Sequence, residues 1–312
     1  MQIFKSTLNI DFMGKSRAAL IFSGVSLVIF VLSIIIQGLN MGIDFTGGTL
    51  VEVGFKEPVE LAKVRAALAG GGFDDASVQH FGNTKDILIR LAPSEEGGSE
   101  VQSNRAFDEL NRAIGNAELR RVEFVGPQVG DELSEDGGLA MLYALIGILI
   151  YVALRFEYRL SLGAVIATIH DVLFTVGLFS LFQIEFDLPV LAAVLAVIGY
   201  SLNDTIVIYD RIRENFRKMR KGSAEQIVNV SLNQTLSRTI MTSFTTLLVL
   251  FALFIFGGEI IHGFALALII GVIVGTYSTI YVASKAALLL GISKADLMPV
   301  KKEGVANDGS QV

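Results

Sequence analysis

Six blocks of about 20 consecutive apolar residues constrain the fold of this chain more than any other feature. A helix of about 20 apolar residues is long enough to cross about 30 Å of hydrocarbon. Of the 312 residues 52% are hydrophobic and the mean hydropathy is +0.58, which favours a polytopic α-helical membrane protein with six transmembrane helices. The blocks lie near residues 18–38, 138–155, 160–182, 188–209, 239–257 and 262–290.

The charges beside these blocks predict how the chain is oriented. Cytoplasmic loops carry an excess of Lys and Arg, so both termini are expected in the cytoplasm. The first block is longer than a signal-peptide core and no small-residue cleavage site follows it, so we expect a retained helix. The net charge of -6 comes mostly from the opposite side, so it does not indicate nucleic-acid binding. The basic flanking residues are Lys5, Lys15, Arg17, Arg155, Arg159, Arg211, Arg213, Arg217, Lys218, Arg220, Lys221, Lys294, Lys301 and Lys302.

The segment 39–137, between the first two blocks, changes from continuous apolar sequence to short alternating runs. Its βαββαβ order is typical of a small α+β domain with a ferredoxin-like split βαβ sheet. In that topology the first and last strands are neighbours, so the chain would enter and leave at one edge. The predicted elements are strand 49–55, helix 58–70, strand 76–81, a turn at 82–85, strand 86–92, helix 99–115 and strand 118–125.

Nothing in the sequence predicts an enzyme, a cofactor or a metal site. The external segment has no metal-ligand spacing, no nucleophile beside a base and no paired carboxylates. The chain has no cysteine, which excludes disulfides and thiolate ligands. The triplet Gly14-Lys15-Ser16 lacks a glycine five residues upstream, where Asn9 stands, so nucleotide binding is not expected there.

A glycine-rich segment, "GIDFTGGT" at 42–49, stands where the first helix meets the external domain, and "VGPQVG" at 125–130 stands at the return. The spacing matches neither a dinucleotide-binding nor a Walker motif, so a tight turn or hinge is favoured over a phosphate-binding loop. The residues of this candidate hinge are Gly42, Asp44, Phe45, Gly47 and Gly48.

Charged and polar residues interrupt three of the apolar blocks. The third block contains His170 and Asp171, the fourth contains Asn203 and Asp204, and the fifth begins near Arg238. One carboxylate at the centre of a bilayer costs about 2.5 to 3.5 kcal/mol on insertion scales, so Asp204 needs a partner, a proton or water. The fifth block also has one polar face, because its hydroxyl residues follow helical spacing: Thr239, Thr242, Ser243 and Thr246.

Asp204 and Arg238 are predicted to lie at similar depth. Counted from the outer ends of their helices they differ by about 6 Å, at about 1.5 Å per residue, which one arginine side chain can span. These polar residues together favour a transport or relay site. The alternatives are a structural acid at Asp204, an Arg238 side chain that reaches the headgroups, and a buried hydrogen-bonding role for His170.

The sixth block carries small residues at every fourth position. Gly263, Ala267, Gly271 and Gly275 would lie on one helix face and let a neighbouring helix approach closely. Helix packing is therefore the main interpretation, and a role in sliding motion is the lesser one.

Five sequence segments, taken in this order, closely resemble the SecF branch of the SecD/SecF family, within the resistance-nodulation-division superfamily. The resemblance covers nearly the whole chain, and the agreement of several long motifs is more specific than any one of them. The segments are "GIDFTGGT", "VGPQVG", "GYSLNDTIVIYDRIREN", "TLSRTIMTSFTTLLVLFALFIFGG" and "GTYSTIYVASK".

The resemblance implies a subunit of the bacterial Sec protein-export machinery. Such a subunit would pair with SecD in the inner membrane, join the SecYEG channel and use the proton motive force to promote preprotein translocation and release in the periplasm. Membrane lipids would surround it. The family associates proton conduction with the aspartate of the "ND" motif and the arginine of the "LSR" motif, which correspond to Asp204 and Arg238.

The implied domain organisation follows the apolar blocks. A complete transporter of this superfamily has two six-helix halves, so a partner would supply the second half. Two other functions remain open: a factor that only braces the translocon, and half of a proton-driven exporter of small molecules or lipids. The expected parts are a cytoplasmic segment 1–17, helix 18–38, a periplasmic domain 39–137, helices two to six within 138–292, and a disordered cytoplasmic tail 293–312.

Overall fold

The computed structural model describes residues 9–93, 98–219 and 221–293, and within them six helices are long and apolar enough to cross a membrane. The predicted six-helix membrane protein is thereby confirmed. The predicted tail 293–312 lies outside the described residues except at its first position. The helices are α1 (Ser16–Gln37), α5 (Pro127–Arg155), α6 (Tyr158–Leu181), α7 (Leu188–Lys218), α8 (Ala224–Phe256) and a last helix formed by α9 (His262–Ser278), a π-helical segment (Thr279–Ala283) and α10 (Ser284–Leu289).

Three of these helices extend beyond their apolar blocks. α5 begins at Pro127, before residue 138, because proline suits the first position of a helix and residues 127–137 continue the helix as a polar extension. α8 begins with a capping box, in which Ser223 and Gln226 satisfy each other's backbone amides. α7 continues to Lys218 through the charged end of its sequence.

The six helices divide into an inner and an outer set. In the most apolar part of α6, of α7 and of the last helix, 56% of the residues are buried by the rest of the protein. The corresponding share is 17% in α1, 6% in α5 and 17% in α8. The inner three helices therefore form the centre of the bundle, and the outer three expose their apolar side chains to lipid or to a partner.

The external domain has the element order predicted from the sequence. Its sheet has the strand order β3-β4-β2-β5, and all three neighbouring pairs are antiparallel. The first and last strands pair from Gly48 opposite Val125 to Phe55 opposite Ala117, so the chain leaves the domain where it entered. The elements are β2 (Gly48–Phe55), α3 (Leu61–Gly70), β3 (Ser77–Phe81), β4 (Asn83–Leu91), α4 (Gly98–Ala113) and β5 (Ala117–Val125).

One side of this sheet packs against α3 and α4 and forms the core of the domain. Val51 and Val53 of β2 and Ile87 and Ile89 of β4 are fully buried, because alternate residues of a strand point to the same side. The turn expected at 82–85 is shorter than predicted. β4 begins at Asn83, whose side-chain oxygen accepts hydrogen bonds from the backbone amides of Lys85 and Asp86, at 2.7 and 3.0 Å.

Two short elements that the sequence did not predict connect the domain to the bundle. β1 (Asn40–Met41) pairs in parallel with β6 (Glu185–Phe186), which lies in the loop between α6 and α7. The candidate hinge contains a single helical turn, α2 (Ile43–Thr46). The domain is thus hydrogen-bonded to the loop that leads into α7.

Candidate proton site and its connection to the external domain

Asp204 lies inside the bundle on α7 and is only 4% exposed. Its Oδ2 atom is buried and has no hydrogen-bond partner in the described residues. The groups that interact with its carboxyl belong to α8 and are Thr242, through its side chain, and Arg238, through its charge. A buried carboxyl oxygen without a partner is costly, and a dissociable proton or a water molecule would remove that cost.

Arg238 does not form the ion pair that similar depth had suggested. Its side chain is exposed, and among the described residues it makes neither a hydrogen bond nor an ion pair within 4.0 Å. Asn203 is also exposed, although it lies within the apolar part of α7. Both polar side chains therefore lie at the surface of the bundle beside the buried Asp204.

The hydroxyl residues of α8 face the inner helices over about two turns. The Ser243 hydroxyl lies 2.8 Å from that of Thr276 on α9. The hydroxyl of Thr239 is buried and has no hydrogen-bond partner in the described residues, like the Oδ2 atom of Asp204. Thr246 is half-buried and donates to the carbonyl of Thr242 at 2.9 Å. The polar face expected from helical spacing is therefore present next to α7.

A cleft of about 410 Å³ lies between α7 and α8, on the side where these helices carry their basic ends. Its polar lining contains both acids and bases, so it can hold water. Val207 is one of its lining residues, so the cleft reaches within about one helical turn of Asp204 along α7. The lining residues are Val207, Asp210, Arg211, Glu214, Gln234, Thr235 and Arg238.

His170 and Asp171 form a second polar centre, in which both ring nitrogens and both carboxyl oxygens have hydrogen-bond partners. His170 is 2% exposed and Asp171 is 0% exposed. His170 Nδ1 lies 2.9 Å from Asp171 Oδ1, and the hydroxyls of Ser201 and Ser278 donate to Asp171 Oδ2 at 2.5 and 2.7 Å. Ser201 belongs to α7 and Ser278 to α9, so the carboxyl of Asp171 connects the three inner helices.

The same centre reaches the outer helix α1 through the other ring nitrogen of the histidine. His170 Nε2 lies 3.1 Å from the hydroxyl of Ser23 on α1, which lies 2.9 Å from the hydroxyl of Tyr277. Tyr277 donates to the carbonyl of Ala19 at 2.7 Å. Ser278 directly precedes the π-helical segment, and irregularities of this kind are frequent at functional sites.

The candidate hinge packs closely against the start of α7. Asp44 Oδ2 accepts a hydrogen bond from the Leu188 amide at 2.9 Å, and so caps α7 together with Asp187, which accepts from Val190 at 2.8 Å. Phe45 is buried against the Phe186 ring, with 6.1 Å between the ring centres. A side chain at Gly42 would lie 3.1 Å from Asp187 Cβ, which leaves little room.

The glycine pair has no room for side chains and has positive φ angles. Gly47 has φ +67°, and a Cβ atom there would lie 2.9 Å from Pro127 Cα. Gly48 has φ +124°, and its Cβ atom would lie 2.6 Å from the carbonyl oxygen of Leu91. These positions need glycine because the domain, α2 and the first turn of α5 meet here.

A charged contact supports the same junction. Arg90 of β4 forms a salt bridge with Glu185 and donates to the Met41 carbonyl at 2.7 Å. The pKa of Asp187 is raised from 3.8 to about 6, mainly by burial and partly by the negative charges of Glu185 and Asp44, while the hydrogen bond from Val190 opposes the rise. Three carboxylates therefore lie at this junction beside one arginine.

The small-residue stripe of α9 packs against α7. A Cβ atom at Gly271 would lie 2.0 Å from Val197 Cγ2, and one at Gly263 would lie 2.9 Å from Val190 Cγ2. At Gly275 it would lie 3.1 Å from Ser201 Cβ. The close approach of the two helices brings Ser201 and Ser278 within reach of the same carboxylate.

The structure thus separates the sequence-predicted polar residues into two neighbouring centres. Asp204 faces α8, and the pair of His170 and Asp171 faces α1, α7 and α9; Ser201 and Asp204 lie one helical turn apart on α7. Sequence reasoning missed the residues that complete the second centre: Ser23, Ser201, Tyr277 and Ser278. In residues 9–93, 98–219 and 221–293, His, Asp and Glu side chains form no group of three that could hold a metal ion.

Comparison with known proteins gives consistent matches over nearly the whole chain. Residues 106–293 match the family model "Protein export membrane protein SecD/SecF, C-terminal", and residues 32–59 match the "SecD/SecF GG Motif". Protein translocase subunit SecF of Vibrio alginolyticus is 54% identical over 310 residues, which cover 98% of each chain. The subunit of Escherichia coli O157:H7 is 47% identical, over 94% of this chain and 92% of its own.

A solved structure has the same fold. The crystal structure of SecDF, a translocon-associated membrane protein from Thermus, superposes with a TM-score of 0.84 at 36% identity. The match covers 92% of this chain and 39% of the SecDF chain, so this chain spans well under half of that protein.

Proposed function

Because this chain belongs to the SecD/SecF family of protein-export membrane proteins, we propose that it is a SecF-type subunit that acts with SecD to drive preprotein translocation with the proton motive force. The observation that carries this proposal is Asp204. Asp204 is 4% exposed within an apolar span, and one of its carboxyl oxygens has no hydrogen-bond partner among the described residues, beside the charge of Arg238. A carboxyl in such a position can alternate between a protonated and an ionised state.

The second half of the transporter would be SecD, docked on the face that carries Asn203 and Arg238. An exposed polar side chain in a membrane span needs a polar companion. Along α7 the exposed positions next to Asn203 are small residues, so another helix could approach closely: Ala192, Ala196 and Gly199. The coverage of only 39% of the SecDF chain fits this interpretation, since the rest of that protein would be the other half.

In this proposal the protein lies in the bacterial inner membrane with both termini in the cytoplasm and the α+β domain in the periplasm. The support is the concentration of basic residues at one end of the bundle. At that end Arg155 and Asp210 form a salt bridge of 2.7 Å between α5 and α7, and the cleft near Arg238 opens. SecYEG and the emerging preprotein would be contacted by the complex as a whole.

The proton step requires only binding and release. Asp204 takes up a proton from the periplasmic side, loses its charge and its attraction to Arg238, and lets α7 and α8 repack. The proton then leaves to the cytoplasm through the cleft. One elementary charge that crosses 100 mV supplies about 2.3 kcal/mol, which is enough to bias a two-state movement.

The movement would reach the external domain through the start of α7. Leu188, the first residue of α7, is hydrogen-bonded to Asp44 of the candidate hinge, and Glu185 just before it is paired with Arg90 of the sheet. A shift or tilt of α7 therefore pulls on both the hinge and the sheet. In this proposal the domain holds or releases the emerging chain.

The experiment is export of a secretory preprotein in cells whose only copy of this protein carries Asp204→Asn. We expect export to fall at least tenfold while the membrane level of the protein and its co-purification with SecD stay normal. The matched control is Glu157→Gln, which removes an exposed acid between α5 and α6 that does not line the cleft. Normal export by the Asp204→Asn protein would contradict the proposal and favour a subunit that only braces the channel.

A further inference from the structure

We propose that the pair of His170 and Asp171 is a proton-binding site separate from Asp204. The proposal rests on an unbranched chain of four hydrogen bonds that connects two groups able only to accept, the Ala19 carbonyl and the Asp171 carboxylate. From one end to the other, the four contacts are Ala19 O to Tyr277 hydroxyl at 2.7 Å, Tyr277 to Ser23 hydroxyl at 2.9 Å, Ser23 to His170 Nε2 at 3.1 Å and His170 Nδ1 to Asp171 Oδ1 at 2.9 Å.

The number of protons in this row of hydrogen bonds determines the protonation state of His170 and Asp171. Tyr277 must donate to the carbonyl of Ala19, so its oxygen accepts from Ser23, and Ser23 in turn accepts from Nε2 of His170. Tyrosine, serine and a neutral histidine supply one proton each. Four hydrogen bonds need four protons. With a neutral His170 and an ionised Asp171 the row of hydrogen bonds has only three, so the observed contacts require one additional proton.

The additional proton resides on the imidazole ring. Asp171 receives hydrogen bonds from His170, Ser201 and Ser278, and several donors to a carboxylate favour its ionised form. His170 is then an imidazolium that donates from both ring nitrogens, and the pair is neutral overall. Loss of the proton would leave a net negative charge fully buried in the bundle and one hydrogen bond unmade, and both are costly.

The surrounding helices offer few other charges to this pair. From α1 the facing group is Ser23, and from α7 it is Ser201; the last helix contributes Ser278 and the titratable Tyr277, whose ring packs on that of Tyr281. Among the described residues, Asp171 forms an ion pair with His170 and with no other side chain. Asp204 is the closest further acid along α7, one turn from Ser201.

The proton at this site would stabilise the packing of four helices. With the proton present, the polar side chains that α1, α6, α7 and α9 contribute to this centre all have hydrogen-bond partners. Without it, the chain of hydrogen bonds has a gap between α1 and α6. Any role of this broken hydrogen bond in export rests on the proposed function. The presence of the proton on His170 does not depend on that function.

The protonation of His170 can be measured directly in the full chain. The sequence has three histidines, so His80→Asn combined with His262→Asn leaves His170 as the one histidine label. Nitrogen NMR of the ¹⁵N-histidine-labelled protein in lipid vesicles distinguishes a ring protonated on both nitrogens from a neutral ring. We expect both nitrogens to be protonated at pH 7, and the same result after Asp204→Asn. A neutral His170 ring at pH 7 would overturn the proposal.

Two variants test the proton count and not only the presence of a charge. Tyr277→Phe keeps the ring but removes one hydroxyl, so Ser23 can donate to Nε2 and a neutral His170 satisfies the shortened chain. We expect the nitrogen spectrum of this variant at pH 7 to gain the signals of a neutral ring, because the fourth proton is no longer needed. Asp171→Asn should leave His170 neutral at pH 7, because the compensating charge is gone.

These measurements separate the two proposals. If Asp204→Asn leaves export intact while His170 is doubly protonated, the proposed function fails and this site stands. If the Tyr277→Phe protein shows the same doubly protonated ring at pH 7 as the unchanged chain, the hydrogen bonds do not control the proton and the inference fails. An unaltered imidazolium in the Asp171→Asn protein would also overturn it.

Discussion

Arg90, in the external sheet, and Glu185, in the loop between α6 and α7, form a salt bridge across the boundary between domain and bundle. Both side chains are less than a third exposed, at 20% and 26%. Gln79 of β3 donates to the same carboxylate at 3.1 Å, and the adjacent β1 and β6 add a short parallel ladder. The domain is thereby attached to the element that begins α7, which is the helix that carries Asp204.

Neutralising either partner should loosen this attachment. In Arg90→Gln or Glu185→Gln we expect amide exchange in residues 40–46 to rise roughly fivefold, since one ion pair at a partly screened site contributes on the order of 1 kcal/mol. Gly42 is a useful reporter because its amide donates to the Phe186 carbonyl at 2.9 Å. The measurement is hydrogen exchange followed by mass spectrometry.

The exchanged pair, Arg90→Glu with Glu185→Arg, should restore part of the protection. Arg112→Gln is the control, since it removes an exposed pair with Glu109 within the domain and should not affect residues 40–46. Unchanged exchange in both single variants would mean that the backbone ladder alone holds the domain on the bundle.

Asp187 should make the stability of this junction depend on pH. Its pKa in the folded protein is raised to about 6 from 3.8, mainly by burial, so the folded state binds more protons than the unfolded state between these values. Stability should therefore fall as the pH rises from about 4 to about 6 and stay level above that. We expect a decrease on the order of 1–2 kcal/mol after solvent screening of this half-buried group.

Asp187→Asn removes the titration and keeps the helix cap, because asparagine is as good a cap as aspartate. Thermal unfolding of the two proteins in detergent from pH 4 to pH 7 should give curves whose difference shrinks as the pH is lowered. Parallel curves over this range would show that Asp187 does not control the pH dependence.

The two glycines of the hinge should tolerate alanine poorly, and for different reasons. Gly48→Ala combines an unfavourable φ with a contact of 2.6 Å to a backbone oxygen, so we expect a loss on the order of 2–3 kcal/mol. Gly47→Ala meets the backbone of Pro127 at 2.9 Å and should cost somewhat less. The midpoint of thermal unfolding and the yield of folded protein measure both.

Gly38 gives the matched control for these two positions. Its φ is +70°, but a Cβ atom there has no neighbour within 4 Å in the described part of the chain, so Gly38→Ala should show the backbone strain alone, about 1 kcal/mol. Equal losses of stability in Gly38→Ala and Gly48→Ala would mean that the close approach to Leu91 does not contribute to the cost at Gly48.

The sequence predicted the parts of the fold that have a strong period. The six helices and the order of strands and helices along the domain follow from apolar blocks and from alternation, and both agree with the structure. The pairing of Asp204 with Arg238 could not be settled in this way. Depth along a helix fixes one coordinate, whereas an ion pair also requires the two side chains to point towards each other around their helix axes.

The second polar centre was only half visible in the sequence for a related reason. His170 and Asp171 are conspicuous in an apolar block, but Ser201 and Ser278 are not, because a serine in a membrane helix can bond to its own backbone. Gly275 gave an indirect signal. A glycine stripe predicts a close helix neighbour, and the residues around it are then close enough to share a carboxylate.

The close contact between α9 and α7 at Gly271 should be sensitive to added volume. A Cβ atom at Gly271 of α9 would lie 2.0 Å from Val197 Cγ2 of α7, so Gly271→Ala must displace the valine or separate the helices. We expect a loss of about 1–3 kcal/mol in the unfolding of the purified protein, the usual cost of overpacking. Gly24→Ala on α1 should be nearly neutral, because no described residue lies within 4 Å of a Cβ atom there.

The variant Val197→Ala tests whether this contact alone explains the loss. Combined with Gly271→Ala it removes both methyl groups but leaves Val197 Cβ at 2.9 Å, so we expect a partial recovery and a favourable coupling of about 1 kcal/mol in a double-mutant cycle. If the losses of stability in the two single variants simply add in the double variant, the helices separate at Gly271 whichever side chain occupies position 197. Because Ser201 follows one turn after Val197, such a separation should also weaken the hydrogen bond from Ser201 to Asp171.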